Sequence, residues 1–209
     1  MKIIRPSVEI LAITSDILKT IEKAGRTCYK SESKITRDSA KKFIKGIIKR
    51  GHESVIEHGV ITIKLVCDRG VTHEIVRHRL GSYSQESTRY VSYKDGITVI
   101  EPCFWRREDA RKNGKYKYIT WRSAMLQAEE NYRTLIKSGA KPEEARSVLP
   151  NSLKAEIVIT YNLREWRHFL KIRCDSHSHP QIREVAFMIL EEFKKKIPVI
   201  FNDLKNEKE

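Results

Sequence analysis

RHRLGSYSQESTRY, from Arg77 to Tyr90, surrounds one glycine with three arginines, four serine and threonine hydroxyls, two tyrosines, a histidine and a glutamine. Nothing in this stretch is suited to building a core. The segment 74–76 together with Leu80 predicts the apolar part of a short helix, and Gly81 predicts a left-handed stop just past its end. The chain is therefore expected to leave a helix and enter a polar, cation-rich segment.

Arg77, His78 and Arg79 fall in the last turn of that predicted helix. The helix dipole favours cations there, which explains the three residues without any ligand. Helical geometry, however, places Arg77 and Arg79 about 200° apart, so one solvated face does not account for both. A polyanion that wraps around the helix end would contact both.

The same stretch resembles the signature of the flavin-dependent thymidylate synthases, which is arginine, histidine, arginine, seven residues, then serine, with Ser87 as the serine. GHESVIEH at 51–58 and NLREWRHFLKIRCDSHSHPQIRE at 162–184 are similar to two further blocks of that family. The resemblance implies an α+β fold in which an antiparallel sheet is flanked by helices.

The resemblance also implies a reaction and its partners. It predicts reductive methylation of dUMP to dTMP, with methylenetetrahydrofolate as carbon donor, FAD as hydride carrier and NADPH as reductant. Relatives are homotetramers whose subunits share each active site, so the same assembly is expected here. Neither a membrane nor a nucleic-acid partner is expected.

The chain has 209 residues, of which 40% are hydrophobic, enough for a sizeable core. We expect one catalytic domain over 1–209, with 198–209 as a peripheral tail. Forty-one lysines and arginines against 27 acidic residues give a net charge of +14, which attracts polyanions. This charge could reflect binding of nucleic acid, binding of a ligand with several phosphates, or a generally lysine-rich proteome. Net charge alone does not distinguish among these three explanations.

Cys28, Cys67, Cys103 and Cys174 lie far apart and form no CxxC pair, so neither a zinc ribbon nor a disulfide framework is predicted. Polar residues interrupt the N-terminal apolar residues before a signal-peptide core could form. No run approaches the length of a membrane span. We expect a soluble, cytoplasmic protein with reduced thiols.

The apolar periodicity predicts both strands and helices along the chain. Strands are expected at 8–13, 60–69, 89–93, 97–100 and 155–162, with a turn at 94–96. A first helix is expected to end near Gly25, and a second to run from its N-cap Thr36 to Gly51. A short helix is expected to begin at Lys141. The remaining helices are expected over 119–138, 163–173 and 180–197.

Arg173 lies on the apolar stripe of its predicted helix, one heptad after Trp166 and beside Phe169 and Leu170. A guanidinium in that direction is expected to be partly buried, which requires an anion or several acceptors nearby. An internal pair with Asp175 or a glutamate agrees with the sequence as well as a ligand contact does. The resemblance implies the ligand contact, with Arg173 as the catalytic residue that activates the uracil ring.

The resemblance marks FAD contacts in each of its blocks. His52 could equally be a capping or core histidine. The four-residue spacing of Arg164 and His168 is also typical of an ordinary solvated helix face. The expected FAD contacts are His52, Ser54, Arg77, His78, Arg79, Gln85, Asn162, Arg164, His168 and His177.

Ser87 and Arg89 are expected at the phosphate of dUMP, where a hydroxyl and a guanidinium can share the dianion. Arg146 follows Glu143 by three residues, so a surface ion pair explains it equally well, although the matching arginine of the family binds the nucleotide. Glu74 stands where many relatives have glutamine. The expected dUMP contacts are Glu74, Arg77, Gln85, Glu86, Ser87, Thr88, Arg89, Arg146 and Arg173.

Cys174, His177 and His179 are all suitable zinc ligands, but only these three lie close together and Pro180 follows at once, so no metal site is predicted. No side chain is expected to attack the uracil ring. Ser87 and the cysteines have no activating base beside them in the sequence.

A nucleic-acid-binding protein without catalysis is the alternative. It accounts for the net charge and for the tyrosines and tryptophans interleaved with basic residues between Phe104 and Trp121. It does not account for the ordered hydroxyls of the signature. Flavin uptake by the purified protein, as opposed to salt-sensitive oligonucleotide binding, distinguishes the two.

Overall fold

The computed structural model describes residues 1–108 and 115–204. The chain divides into two compact units and passes between them more than once. The single catalytic domain expected over the whole chain stays a prediction. Unit 1 comprises Met1–Ser7, Leu65–Arg77 and Ser84–Ile157, and unit 2 comprises Val8–Lys64, His78–Tyr83 and Val158–Glu209.

Strands and helices alternate irregularly along the chain. None of the helices in the described residues is both long and apolar enough to span a membrane. The strands are β1 (Lys2–Ile4), β2 (Ser7–Ile13), β3 (Val60–Asp68), β4 (Ser82–Gln85), β5 (Thr98–Ile100) and β6 (Lys154–Asn162). The helices are α1 (Ile17–Thr27), α2 (Ser39–Lys49), α3 (Arg69–Ile75), α4 (Lys115–Lys137), α5 (Pro142–Ala145), α6 (Leu163–Arg173), α7 (Pro180–Lys196) and α8 (Pro198–Phe201).

The strands form two sheets. The larger has four strands in the order β2, β3, β6, β4, and its antiparallel pairing confirms the expected fold class. The hydroxyls of Thr62 and Thr160 lie 2.9 Å apart and mark the register of the central pair. β1 and β5 form a separate parallel pair, with Ile3 opposite Val99. The sequence patterns did not predict β1.

The two central strands of the larger sheet bury every second side chain. Ile61, Ile63 and Leu65 are buried in β3, and Ile157 and Ile159 are buried in β6. Side chains of a strand point alternately to the two faces, so one face of the sheet packs into the core. The strands predicted at 60–69 and 155–162 are confirmed, with small shifts at their ends.

The core of unit 2 is built around Trp166 of α6. Its indole N–H donates to the Ile61 carbonyl at 3.0 Å, and its ring packs edge-on against Phe193 with centroids 5.0 Å apart. Phe193 packs in turn against Phe201. Phe201 and Leu204 are buried, so the expectation of a peripheral tail is wrong for residues 198–204. Residues 205–209 lie outside the described part of the chain.

Unit 1 has an apolar core of its own, in which Trp121 and Tyr132 of α4 pack around Val99. Glu129, on the same helix, accepts a hydrogen bond from the Ile97 N–H at 2.9 Å. This bond attaches the start of β5 to α4. The helix predicted over 119–138 is confirmed, and it begins earlier, at Lys115.

α3 ends before the basic residues of the signature. Val76 is its C-cap, and residues 77–79 lie in a turn and irregular backbone, so their predicted placement in a helical turn is wrong. Leu80 is 76% exposed and Val76 is 38% exposed. These apolar side chains face solvent, so they give no reason for the helix to continue. Arg77 and Arg79 therefore do not lie on different sides of a helix.

Two predicted boundary residues have other roles. Gly81 does not adopt a left-handed conformation; it lies where the backbone passes close to β6. Thr36 is not the N-cap of α2, because that helix begins at Ser39 after Asp38 as N-cap. The Ser39 hydroxyl donates to the Thr36 carbonyl at 3.1 Å, which closes a turn just before the helix.

The strand predicted at 89–93 is wrong, because a turn at Ser87 takes its place. The Ser87 carbonyl accepts from the N–H groups of Tyr90 and Val91 at 3.2 and 3.0 Å, and the Ser87 hydroxyl accepts from the Arg89 N–H at 3.2 Å. Such local bonds compete with strand pairing. The turn predicted at 94–96 and the strand predicted at 97–100 are confirmed.

Candidate active site

His78 lies buried in unit 2, between two charged residues of α6. Its Nε2 accepts a hydrogen bond from Nε of Arg173 at 3.0 Å, and its Nδ1 lies 3.4 Å from Oε1 of Glu165. The ring packs edge-on against Phe169. Burial, followed by the charges of Arg173 and His168, lowers the pKa of His78 from 6.5 to about 4. His78 is therefore a neutral imidazole at neutral pH.

Arg173 is half-buried, as its position on the apolar stripe predicts. The sequence left open whether an internal partner or a ligand holds it, and the structure assigns it His78 as one internal partner. Asp175, the neighbouring acid in the sequence, accepts hydrogen bonds from the backbone N–H and Nδ1 of His177. Those bonds lower the pKa of Asp175.

Two tyrosines that the sequence did not single out hold the backbone of His78. The Tyr83 hydroxyl bonds to the His78 carbonyl and lies 2.6 Å from the Tyr161 hydroxyl. Burial raises the pKa of both phenols. Both hydroxyls therefore stay protonated at neutral pH, so Tyr83 donates to the His78 carbonyl and accepts from the Tyr161 hydroxyl.

The N-terminus of α6 carries two of the expected FAD contacts. Asn162 is its N-cap, and the side-chain oxygen accepts from the Glu165 N–H at 2.9 Å, so a ligand would meet the amide NH₂ group. Arg164 is exposed and lies 2.6 Å from Glu57, as expected of a solvated polar face. That ion pair raises the pKa of Arg164.

His52 and Ser54 are exposed at the start of a 3₁₀ turn, Glu53–His58. Glu53 between them accepts from Nε of Arg167 at 3.2 Å and lies 3.3 Å from Nζ of Lys171. His52 and Ser54, two expected FAD contacts, therefore face solvent, and Glu53 between them links this segment to α6. His168 and His177 are also exposed.

In unit 1, Gln85 and Glu86 bond to side chains of the same unit. The Gln85 amide donates to Oγ1 of Thr72 at 3.0 Å. Glu86 accepts from the Tyr93 hydroxyl at 2.9 Å and lies 2.8 Å from Nζ of Lys154. Burial raises the pKa of Tyr93, and its acidic neighbour Glu86 raises it further. The Glu86 carboxylate is therefore already bonded within unit 1, to Tyr93 and Lys154.

The expected dUMP contacts of unit 1 include exposed cations. Arg89 and Arg146 are exposed, and the Arg89 guanidinium lies 5.4 Å from the centre of the Tyr90 ring. Ser87 is half-buried and shapes the turn that presents Arg89. Thr88 is buried. The two guanidinium groups are therefore the accessible part of this set.

His78, Glu165 and His168 form a group that could hold a metal ion, since their ligand atoms lie within 4.8 Å of one another. Within the residues that the structure describes, no other such group of three occurs. Arg173 already donates to Nε2 of His78, and its positive charge so close by disfavours a second cation.

The four cysteines form no disulfide and lie in different surroundings. Cys67 and Cys174 are buried and Cys28 is exposed. Burial raises the pKa of Cys67 well above its ordinary value and that of Cys174 to about 12. Because the thiolate is the nucleophilic form, both buried cysteines are poor nucleophiles.

Exposed arginines on either side of a buried histidine, as at Arg77, His78 and Arg79, are suited to a protein that binds phosphorylated ligands. The family described as thymidylate synthase complementing protein matches residues 9–199, and the chain belongs to this family. The family resemblance predicted from the sequence is thereby confirmed.

Individual relatives agree with this assignment. The chain is 35% identical over 196 residues to the flavin-dependent thymidylate synthase of Pyrococcus abyssi, covering 90% of this chain and 79% of that protein. It is 33% identical over 204 residues to the one from Geobacter sulfurreducens, covering 94% and 85%. The crystal structure of the UMP/dUMP methylase PolB from Streptomyces cacaoi, bound with 5-Br dUMP, is similar with a TM-score of 0.79, 27% identity and coverage of 97% and 96%.

Proposed function

We propose that this chain is a flavin-dependent thymidylate synthase, a methyltransferase that converts dUMP into dTMP. Methylenetetrahydrofolate donates the carbon, and NADPH is the reductant. Membership of the family supports this proposal. The observation in the structure that carries it is the signature segment, where exposed Arg77 and Arg79 flank a buried His78 that bonds to Arg173.

The residues present fit FAD. Its pyrophosphate needs cations and N–H donors that solvent can reach, and the exposed guanidinium groups of Arg77 and Arg79 provide them. The Asn162 amide and the exposed rings of His52 and His168 add donors of the kind that a flavin or its ribityl chain can meet. FAD supplies hydride chemistry that no side chain can perform.

dUMP requires two kinds of contact. Exposed Arg89 and Arg146 are suited to its phosphate dianion, with Ser87 as a hydroxyl donor. Arg173 is suited to the uracil ring, because a fixed guanidinium stabilises negative charge that develops on a ring carbonyl during reaction. Its Nε already bonds to His78 without any substrate.

We further propose a cytoplasmic homotetramer in which different subunits contribute to each active site. The wide separation of the candidate residues along the chain supports this assembly. Four cysteines that form no disulfide support a reducing compartment.

The experiment begins with the visible spectrum of the purified protein and with dTMP formation in the presence of FAD, NADPH and methylenetetrahydrofolate. UMP is assayed beside dUMP, because the similar PolB is a UMP/dUMP methylase. We expect flavin uptake and methylation of dUMP. Arg173→Ala should lower turnover even at saturating dUMP, whereas Arg122→Ala, at an exposed arginine of α4, serves as the matched control.

The proposal would be overturned by a folded protein that takes up no flavin. Salt-sensitive oligonucleotide binding by such a protein would support the non-catalytic alternative. Full turnover of Arg173→Ala at saturating dUMP would remove Arg173 from its catalytic role and leave the activity itself in place.

A further inference from the structure

We propose that Glu165 is a positioning residue, which acts through His78 to orient Arg173 toward the uracil ring. This role rests on the proposed function for the part that Arg173 plays. Glu165 is not among the residues that the sequence marked, and its carboxylate lies against Nδ1 of His78, whereas Arg173 bonds to Nε2 of the same ring. It therefore acts on Arg173 through another side chain and not by direct contact with a ligand.

The hydrogen bond between Arg173 and His78 defines the tautomer of the histidine. A guanidinium nitrogen has only protons to offer, so Nε2 of His78 must be the acceptor in the 3.0 Å bond. In a neutral imidazole the proton then resides on Nδ1. The lowered pKa of His78 is consistent with the neutral ring.

Glu165 is the group that stabilises this tautomer. Its Oε1 lies 3.4 Å from Nδ1 of His78, where a carboxylate favours the Nδ1–H form. In the other tautomer an N–H of His78 would face the N–H of Arg173, and a lone pair of Nδ1 would face the carboxylate. Both contacts would be repulsive, so Glu165 and Arg173 select the same tautomer from the two sides of the ring.

Burial at the start of α6 restricts where the Glu165 carboxylate can lie. Glu165 is 5% exposed, and its N–H bonds to the side chain of Asn162 at the start of α6. The positive end of the helix dipole favours a negative charge at this position, whereas burial raises the pKa of the carboxyl group. Arg173 stands eight residues later on the same helix. The His78 ring thus connects the first turn of α6 to its last.

The neighbouring groups leave this assignment intact. His168, on the same helix, has its ring centre 5.9 Å from that of His78 and is exposed. Phe169 packs against the His78 ring with centroids 4.9 Å apart, and the Tyr83 hydroxyl bonds to the backbone carbonyl of His78. These contacts fix where the ring lies. The proton position follows from Arg173 and Glu165.

The test compares Glu165→Gln with Glu165→Leu. Glutamine keeps an oxygen that can accept from Nδ1–H, whereas leucine of similar volume has no acceptor. At saturating dUMP we expect Glu165→Leu to lower kcat about tenfold, because the carboxylate contact that favours the oriented tautomer is lost, and Glu165→Gln to restore most of it. Glu192→Gln, at a carboxylate of α7 that pairs with Lys195 at 2.7 Å, is the matched control and should leave kcat unchanged.

A spectroscopic measurement tests the same proposal without any activity. In protein with ¹⁵N-labelled histidine, the ring nitrogens of His78 should report the Nδ1–H tautomer at neutral pH in the wild type and in Glu165→Gln. Glu165→Leu should shift the population toward the Nε2–H form. The signal is assigned by its loss in His78→Gln.

Each outcome decides the question. A wild-type His78 in the Nε2–H form overturns the proposal even if no variant folds. A folded Glu165→Leu variant with wild-type kcat also overturns it. An equal loss of FAD affinity in the Gln and Leu variants does so too, because it would indicate a purely structural role for Glu165. Failure of the proposed function is distinguishable, because the wild type would then be inactive while the histidine spectra would still report the tautomer.

Discussion

A Cβ atom on Gly81 would overlap the ring of Tyr161 at Cδ1 and lie 3.0 Å from the carbonyl oxygen of Thr160. No real side-chain carbon approaches a ring so closely, so glycine is required here by space and not by backbone conformation. Tyr161 cannot easily move away, because it is buried and its hydroxyl lies 2.6 Å from that of Tyr83. The close approach therefore helps to place the segment that leads away from His78.

Gly81→Ala should lower the free energy of unfolding by about 1–3 kcal/mol, the range for overpacking a tight site. Gly46→Ala is the matched control. Its new Cβ would meet only the flexible end of Arg50, at 3.3 Å, and alanine is favoured over glycine inside a helix by about 0.5–1 kcal/mol. Urea unfolding of both variants checks the prediction, and an equally stable Gly81→Ala would contradict it.

His78 should make stability depend on pH. Its pKa in the folded protein is lowered from 6.5 to about 4, so the fold favours the neutral ring. The resulting stabilisation is fully present above pH 6.5 and is lost as the pH falls toward 4. Unfolding free energies measured across this interval should decline more steeply for the wild type than for His78→Gln. His52→Gln, at an exposed histidine, is the control, and parallel curves for wild type and His78→Gln would refute the shift.

Asp203 should contribute stability that acid removes. Burial opposes its ionisation, but its hydrogen bonds to Arg167 at 2.7 Å lower its pKa below the ordinary 3.8. The contribution is therefore present above pH 3.8 and is lost as the pH falls through the lower value. Asp203→Asn should be less stable than the wild type at neutral pH, and the difference should shrink below pH 3.8. A difference that does not vary with pH would show that the charge of Asp203 is unimportant.

Replacing Arg77 and Arg79 with alanine should weaken flavin binding. Each lost charge-assisted contact costs about 1.5–3 kcal/mol, so each replacement should raise the dissociation constant of FAD by roughly 10- to 100-fold. Arg122→Ala should leave it unchanged. Quenching of flavin fluorescence measures the constant. An unaltered constant in the folded double variant would exclude these residues as FAD ligands.

Hybrid oligomers should recover activity if subunits share each site. We expect that mixing inactive Ser54 and Arg173 variants restores part of the turnover, because some mixed sites receive both intact residues from different chains. Each variant alone, taken through the same mixing procedure, is the control. A monomer that stays active at high dilution would rule out the shared site.

Elements with strong periodicity could be predicted from the sequence. β3, β6, α6 and α7 lie close to their expected positions, because alternating or amphipathic side chains determine them locally. β1, which the sequence did not predict, has three residues and is stabilised by β5, a partner far along the chain. A local pattern contains no information about such a pairing.

The helix and strand predicted in and after the signature segment were wrong for a different reason. Val76 and Leu80 are apolar but exposed, so periodicity assigned them to a helix face that is not buried. The hydroxyl and carbonyl of Ser87 then form a turn where side-chain propensities favoured a strand.

The candidate site was only partly predictable. The position of Arg173 on an apolar stripe correctly indicated partial burial, but its partner His78 is separated from it by 95 residues. Glu165 follows Asn162 by three residues, a spacing that a capping box explains without any further role. Only the folded chain reveals that the carboxylate faces a histidine.

The unequal burial of the thiols provides a way to count subunits in solution. A maleimide dye should react first with Cys28, just after α1, because Cys67 and Cys174 are shielded. With Cys103 replaced by serine, each chain would carry one fluorophore. Stepwise photobleaching of single particles would then report directly how many copies of the chain assemble.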